Sequence, residues 1–283
     1  MSASTTLRSA SGLQSRKRRR TAPGAARRGL TSVLRGVAGA AAVALAFEGF
    51  ARLEVVDPRL LPPATVILPR ALELLVDPSF LVEVWATLAS LLLGLALAAV
   101  IAVPLGLLLG SYQAMARACA PMVDSLRSVP GIAVIPLLVL VMGQGLEMKV
   151  TIVVFVTVWP LLFNTMYGVR SVDRVAVETA RSFRVPTLMT WRSVVLPSAV
   201  PLMLTGLRVA LATGLTVVIA AEIAVGTYDG VGYFILRASY GGFNADTVFA
   251  AVVLAGVLGF LMNWLTTAAT SRLVAWSDRG ATP

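Results

Sequence analysis

The chain has 283 residues, 57% hydrophobic and 13% charged, with mean hydropathy +0.83 and a net charge of +10. A soluble domain carries about 25% charged residues, so most of this surface faces something other than water. Histidine is absent, Cys119 is the lone cysteine, and neither Lys17 nor Lys149 sits in a G-x-x-x-x-G-K-[ST] loop, which excludes disulfides, His-ligated metals, His-based nucleophile pairs and that type of phosphate cradle.

Residues 1–32 read as a basic, disordered tail, rich in Ser, Ala, Arg and Gly. Nine of the 24 basic residues fall in 1–35 with no acid among them, including the run Arg16-Lys17-Arg18-Arg19-Arg20. A basic tail before an apolar stretch anchors the chain on the cytoplasmic side and touches anionic lipid; it does not imply nucleic acid.

The first expected crossing is Val33–Leu53, interrupted by Glu48, within a unit of residues 33–81 that includes an external loop. A cleaved signal peptide ending at Ala44-Leu45-Ala46 is the competing reading of this stretch. The second crossing is the uncharged run Trp85–Ala116. The third is Ser128–Leu146, starting near Pro121, and the fourth is Val150–Val169. The fifth is Leu202–Val225, with Arg208 and Glu222 near its ends, and the sixth is Thr247–Ser271, before a tail of 273–283. With the N-terminus inside, the cytoplasmic segments hold eighteen Lys and Arg and the outside segments four. This asymmetry places both termini in the cytoplasm. The expected fold is therefore an all-α membrane protein of six crossings. Gly106 and Gly110 form a G-x-x-x-G step that permits close helix approach.

The cytoplasmic segment 174–197 joins crossings four and five. It reads Glu178-Thr179-Ala180-Arg181-Ser182-Phe183-Arg184, nine residues, then Val194-Val195-Leu196-Pro197. The pattern predicts a short amphipathic helix ended by Pro186, then a second short helix carrying Trp191, with Leu196-Pro197 leading into crossing five.

This segment resembles the EAA loop of importer permeases of the ATP-binding-cassette (ABC) class: E-A-A, three residues, Gly, nine residues, I-x-L-P. Glu178, Ala180, Leu196 and Pro197 match; Thr179 replaces Ala, Val194 replaces Ile, and Arg184 stands where the family has Gly. The likeness extends over residues 82–272. Asp124 to Pro130, Ile135-Pro136-Leu137, Trp159 to Thr165, Leu204 to Arg208 and Ala220-Ala221-Glu222 are similar to the nitrate/sulfonate/taurine-type permease subfamily. The resemblance implies the type I importer fold and a non-catalytic subunit that pairs with a second copy. It also implies two cytoplasmic ATPases that receive the loop at Glu178, Thr179, Ala180, Phe183, Arg184, Trp191, Leu196 and Pro197, and an external solute-binding protein. No cofactor is expected on this chain; ATP and Mg belong to the partner ATPase.

An ionisable group within a crossing costs about 2.5–3.5 kcal/mol at mid-membrane, so it faces a partner or a cavity. Glu222 is a candidate for the translocation path, with anchoring or a dimer contact as the alternatives. Asn164 and Asn263 line a cavity or bond between helices. Asp124 and Arg127 share a helical face and can pair. The rival class is a stand-alone secondary transporter or channel, but the crossings lack an acidic chain for proton relay and any internal repeat. A membrane enzyme would need a catalytic constellation that is missing from the crossings.

Overall fold

The computed structural model describes residues 24–53, 55–57, 59–240 and 244–274, and every regular element among them is helical. Residues 1–23 and 275–283 lie outside the described residues; residues 24–32, expected to be part of the disordered tail, are instead helical and open α1. The chain divides into units 1–49 and 50–283. The described part of the first is helical and belongs to α1 (Gly24–Arg52). The expected crossing Val33–Leu53 falls in α1, with several of its side chains outside the described set.

Four helices of the second unit are long and apolar enough to cross a membrane: α3 (Pro78–Ser111), α6 (Leu146–Arg170), a continuous run Thr187–Val225, and α11 (Ala245–Val274), apolar over Ala245–Thr270. The pair α4 (Gln113–Arg127) and α5 (Gly131–Met142) makes a fifth if counted as one crossing, bent by 81°. The expected third crossing, Ser128–Leu146 from near Pro121, is thus made of two helices rather than one. Pro130 breaks it, because proline drives the preceding residue out of helical geometry and caps α5 in an extended conformation. The second crossing also ends earlier than its uncharged run. Tyr112 leaves the helix at φ −112° and ψ 95°, and α4 starts at Gln113. Outside the crossings lie α2 (Ala64–Leu74), packed on α11 through Ile67, Ala71 and Leu74, and α10 (Val231–Tyr240).

α3 starts on Asp77, whose carboxylate accepts the Ser79 backbone N–H at 2.9 Å, followed by Pro78 in the first turn. That bond holds the Asp77 carboxyl below the usual carboxylate range. The core is three helices wide: α3, α6 and the membrane part of the long run, α9 (Leu196–Val225). Leu91, Leu95, Ala98 and Ala102 of α3 pack with Val153, Leu161 and Leu162 of α6 and Ala210, Leu215 and Val218 of α9.

Lipid tails are as apolar as leucine, so close packing replaces the hydrophobic effect in holding such helices together. The Gly106-x-x-x-Gly110 step serves that packing. A Cβ on Gly106 would lie 2.8 Å from the Leu162 carbonyl, and one on Gly110 3.0 Å from that of Met166. The paired positions (Gly94 on Val153, Gly106 on Thr165, Gly110 on Val169) advance together, so α3 and α6 run parallel. Gly168 on Ala199 and Gly206 on Asn164 advance in opposite senses, which makes α9 antiparallel to α6. Consequently the ends of α3 and α6 share one side of the bundle with the start of the Thr187–Val225 run.

Candidate functional site

That side carries segment 174–197. Asp173 opens α7 (Arg174–Ser182) by accepting the Val175 N–H at 2.9 Å. Beyond Ser182 the Arg184 N–H donates to the Arg181 carbonyl and the Val185 N–H to that of Ala180, both at 2.9 Å. These two bonds define a Schellman helix end, which requires a left-handed residue at the position Arg184 occupies. Arg184 has φ 54°, the one positive φ outside glycine among the described residues. The expected stop at Pro186 is therefore corrected: α7 ends three residues earlier through its own carbonyls, and Pro186 instead precedes the next helix. The motif's glycine turn is preserved in shape, with arginine held in it.

The second expected helix also differs from its prediction. α8 (Thr187–Thr190) passes through a π-turn at Trp191–Val195 directly into α9, without a break at Leu196-Pro197. Leu196 donates to Trp191 five residues back. A wider turn at this point lets Pro197, which has no N–H, enter a continuing helix.

The segment leaves apolar groups in solvent. Phe183 is 79% exposed and Leu188 82%, and Val175 and Met189 are exposed as well. Glu178 and Thr179 are exposed, Ala180 and Trp191 half-buried, Leu196 exposed and Pro197 half-buried. No α7 residue is buried. Exposed arginines, Arg174, Arg181, Arg184 and Arg192, stand beside these exposed apolar groups.

The five path candidates fall in separate places. Asp124 and Arg127 pair at 3.0 Å on α4, and the Arg127 guanidinium lies 5.1 Å from the Phe163 ring centroid. Asn164 donates to the Pro160 carbonyl at 2.8 Å and fills the space left by Gly206, at the α6–α9 interface. Asn263 is exposed on α11, beside a small cavity it shares with Arg208.

Glu222 is fully buried within the chain. It accepts from Thr87 Oγ1 at 3.0 Å, from the Gly232 N–H at 2.9 Å and from Lys149 Nζ at 3.4 Å. Lys149, 1% exposed, also pairs with Asp229 at 2.7 Å. Thr87 accepts the Val231 N–H at 2.8 Å, and Glu83 accepts that of Gly230 at 2.6 Å. The free N–H groups at the start of α10 are thus satisfied by side chains of α3 and α9, where negative charge suits a helix N-terminus. Gly230 and Gly232 have no Cβ because the Glu222 side chain occupies that space. Sequence reasoning missed Lys149, Thr87, Glu83 and Asp229. The available signal was that Lys149, the one lysine beyond the basic tail, and Glu222 flank predicted crossings on the same side.

Among the described residues no three His, Cys, Asp or Glu side chains converge in a metal-binding group.

A family profile described as binding-protein-dependent transport system inner membrane component matches residues 102–275. A probable ABC transporter permease protein of Brucella abortus (strain 2308) is 30% identical over 83% of this chain and 94% of its own length. The taurine transport system permease protein of Escherichia coli (strain K12) is 29% identical over 80% of this chain and 83% of its own. Among solved structures, a chain of the MetNI methionine ABC transporter in an inward facing conformation aligns with TM-score 0.56 and 23% identity, covering 71% of this chain and 95% of that one.

Proposed function

Because the chain belongs to the family of binding-protein-dependent transport system inner membrane components, we propose that it is the permease subunit of an ATP-driven importer, coupled through segment 174–197 to a separate ATPase. The family is one of non-catalytic permease subunits, and the apolar helices make the chain a multi-pass inner-membrane component. The coupling reading rests on one observation: a Schellman-ended helix with an exposed apolar face, on a chain that lacks the Lys-containing phosphate loop. In this reading α1 and the bent pair complete six crossings, and both termini lie in the cytoplasm. Two copies form the solute path between them. Two ATPases receive Glu178, Thr179, Ala180, Phe183 and Arg184, and an external binding protein delivers a small solute of the sulfonate, taurine or nitrate kind. The taurine relative supports that solute class.

The helical run explains how movement would travel. Thr187–Val225 spans 39 residues, about 58 Å at 1.5 Å per residue. When ATP draws the two ATPases together, α7 and Trp191 move with them. The run then carries that displacement to Glu222, where α3, α6 and α10 are tied to it. Opening on one side and closing on the other is rocking of a packed body, biased by nucleotide. Glu178→Lys reverses a charge on the docking face. In the reconstituted complex it should lower both solute uptake and stimulated ATP hydrolysis several-fold; unchanged values for both would remove the role given to this loop.

A further inference from the structure

The face of α7 turned toward the bundle has chemistry of its own. Where the apolar crossings end, at Gly110 on α3 and Val169 on α6, a cavity of about 720 Å³ opens beside α7. Its lining includes three arginines, Arg170, Arg174 and Arg181, against a single acidic residue, Glu178. Among the described residues Arg174, Glu178 and Arg181 form no ion pair and no side-chain hydrogen bond. Arg170 gives one bond, to the Leu109 carbonyl at 3.1 Å. Tyr112 and Trp191 complete the wall; such rings, apolar with a polar tip, concentrate at headgroup depth. No side chain of α7 is fully buried.

We propose that this cavity binds the headgroup of an anionic phospholipid, with Arg170, Arg174 and Arg181 donating to its phosphate oxygens, and that the bound lipid ties α7 to the ends of α3 and α6. Three features favour this occupant. The cavity lies where spanning helices give way to a loop, which is the level of the headgroups. Its two excess positive charges and fork-shaped donors match a phosphate and its oxygens. Its volume suits a group of many atoms rather than a bare ion. The inference concerns lipid; Glu178 and Trp191 border both this cavity and the surface assigned to the ATPase, so the test uses the chain alone, without an ATPase.

The test is a titration of the full-length chain in neutral detergent with dioctanoyl phosphatidylglycerol, with bound lipid read by native mass spectrometry. Dioctanoyl phosphatidylcholine and inorganic phosphate form the comparison arms. Phosphatidylglycerol should saturate one site per chain, and phosphatidylcholine should bind about tenfold more weakly or worse, since its choline meets the arginines. An Arg174→Gln/Arg181→Gln double variant should lose about tenfold in affinity for phosphatidylglycerol. The Arg174→Lys/Arg181→Lys pair should recover part of that loss, and Arg127→Gln, outside the cavity, should bind like wild type. Equal affinity in the double Gln variant, equal binding of phosphatidylcholine, or displacement of the lipid by inorganic phosphate at matching concentration would each overturn the proposal. Melting curves establish that each variant is folded. The two comparison arms use the wild-type chain, so they decide the matter even if a variant is not.

Discussion

Arg184 holds φ 54° at a position where only glycine is free of steric cost. The left-handed conformation costs an ordinary L-residue roughly 1–2 kcal/mol, partly offset because glycine has more freedom to lose on folding. Arg184→Gly should therefore steady the α7 end by about 0.5–1 kcal/mol. Arg184→Val, β-branched and worse suited to positive φ, should weaken it. Amide hydrogen exchange over residues 174–190 reads both: slower for the Gly variant and faster for Val. Faster exchange in the Gly variant would mean that the arginine side chain, and not the backbone, governs this turn. The segment's likeness to the EAA loop was visible in the sequence, since Glu178, Ala180, Leu196 and Pro197 stand at that motif's intervals. Its shape was not. A Schellman end is normally announced by glycine, and arginine concealed it.

Among the elements, the long uncharged runs were readable because 18 or more apolar residues have few ways to be satisfied other than crossing a bilayer. Boundaries were less legible. Hydropathy does not register the Tyr112 break or the 81° bend at Pro130, since both interrupt apolar sequence with residues that are not charged. The continuity of α8 with α9 depends on a π-turn, which leaves no compositional trace. Lys149 and Glu222 lie 73 residues apart, and their meeting is a product of how α6 and α9 pack, not of local pattern. That pair ties elements together, and removing one partner strands a charge in the interior. Lys149→Met should lower stability by roughly 3–5 kcal/mol. Lys149→Met/Glu222→Gln, with no charge left at either position, should cost clearly less than the two single changes added. Thermal melting of the full chain in detergent measures this. A Lys149→Met variant as stable as wild type, or strictly additive losses, would show that the ion pair does not hold these helices together.

For the molecule as a whole, the two ends divide the labour. At one, Glu83, Thr87, Lys149, Glu222 and Asp229 bind α3, α6, α9 and α10 into a unit. At the other, α7 stands with no buried residue and an apolar face to solvent. The proposed coupling to a separate ATPase requires an exposed surface of this kind. The most direct test is purification of the full-length tagged chain from its native membranes, followed by assay of the product for ATP hydrolysis and solute uptake in liposomes. An ATP-hydrolysing subunit should accompany the chain in stoichiometric amount and be lost on Glu178→Lys, and uptake should require ATP. A chain that purifies alone and transports solute under an ion gradient without ATP would contradict it.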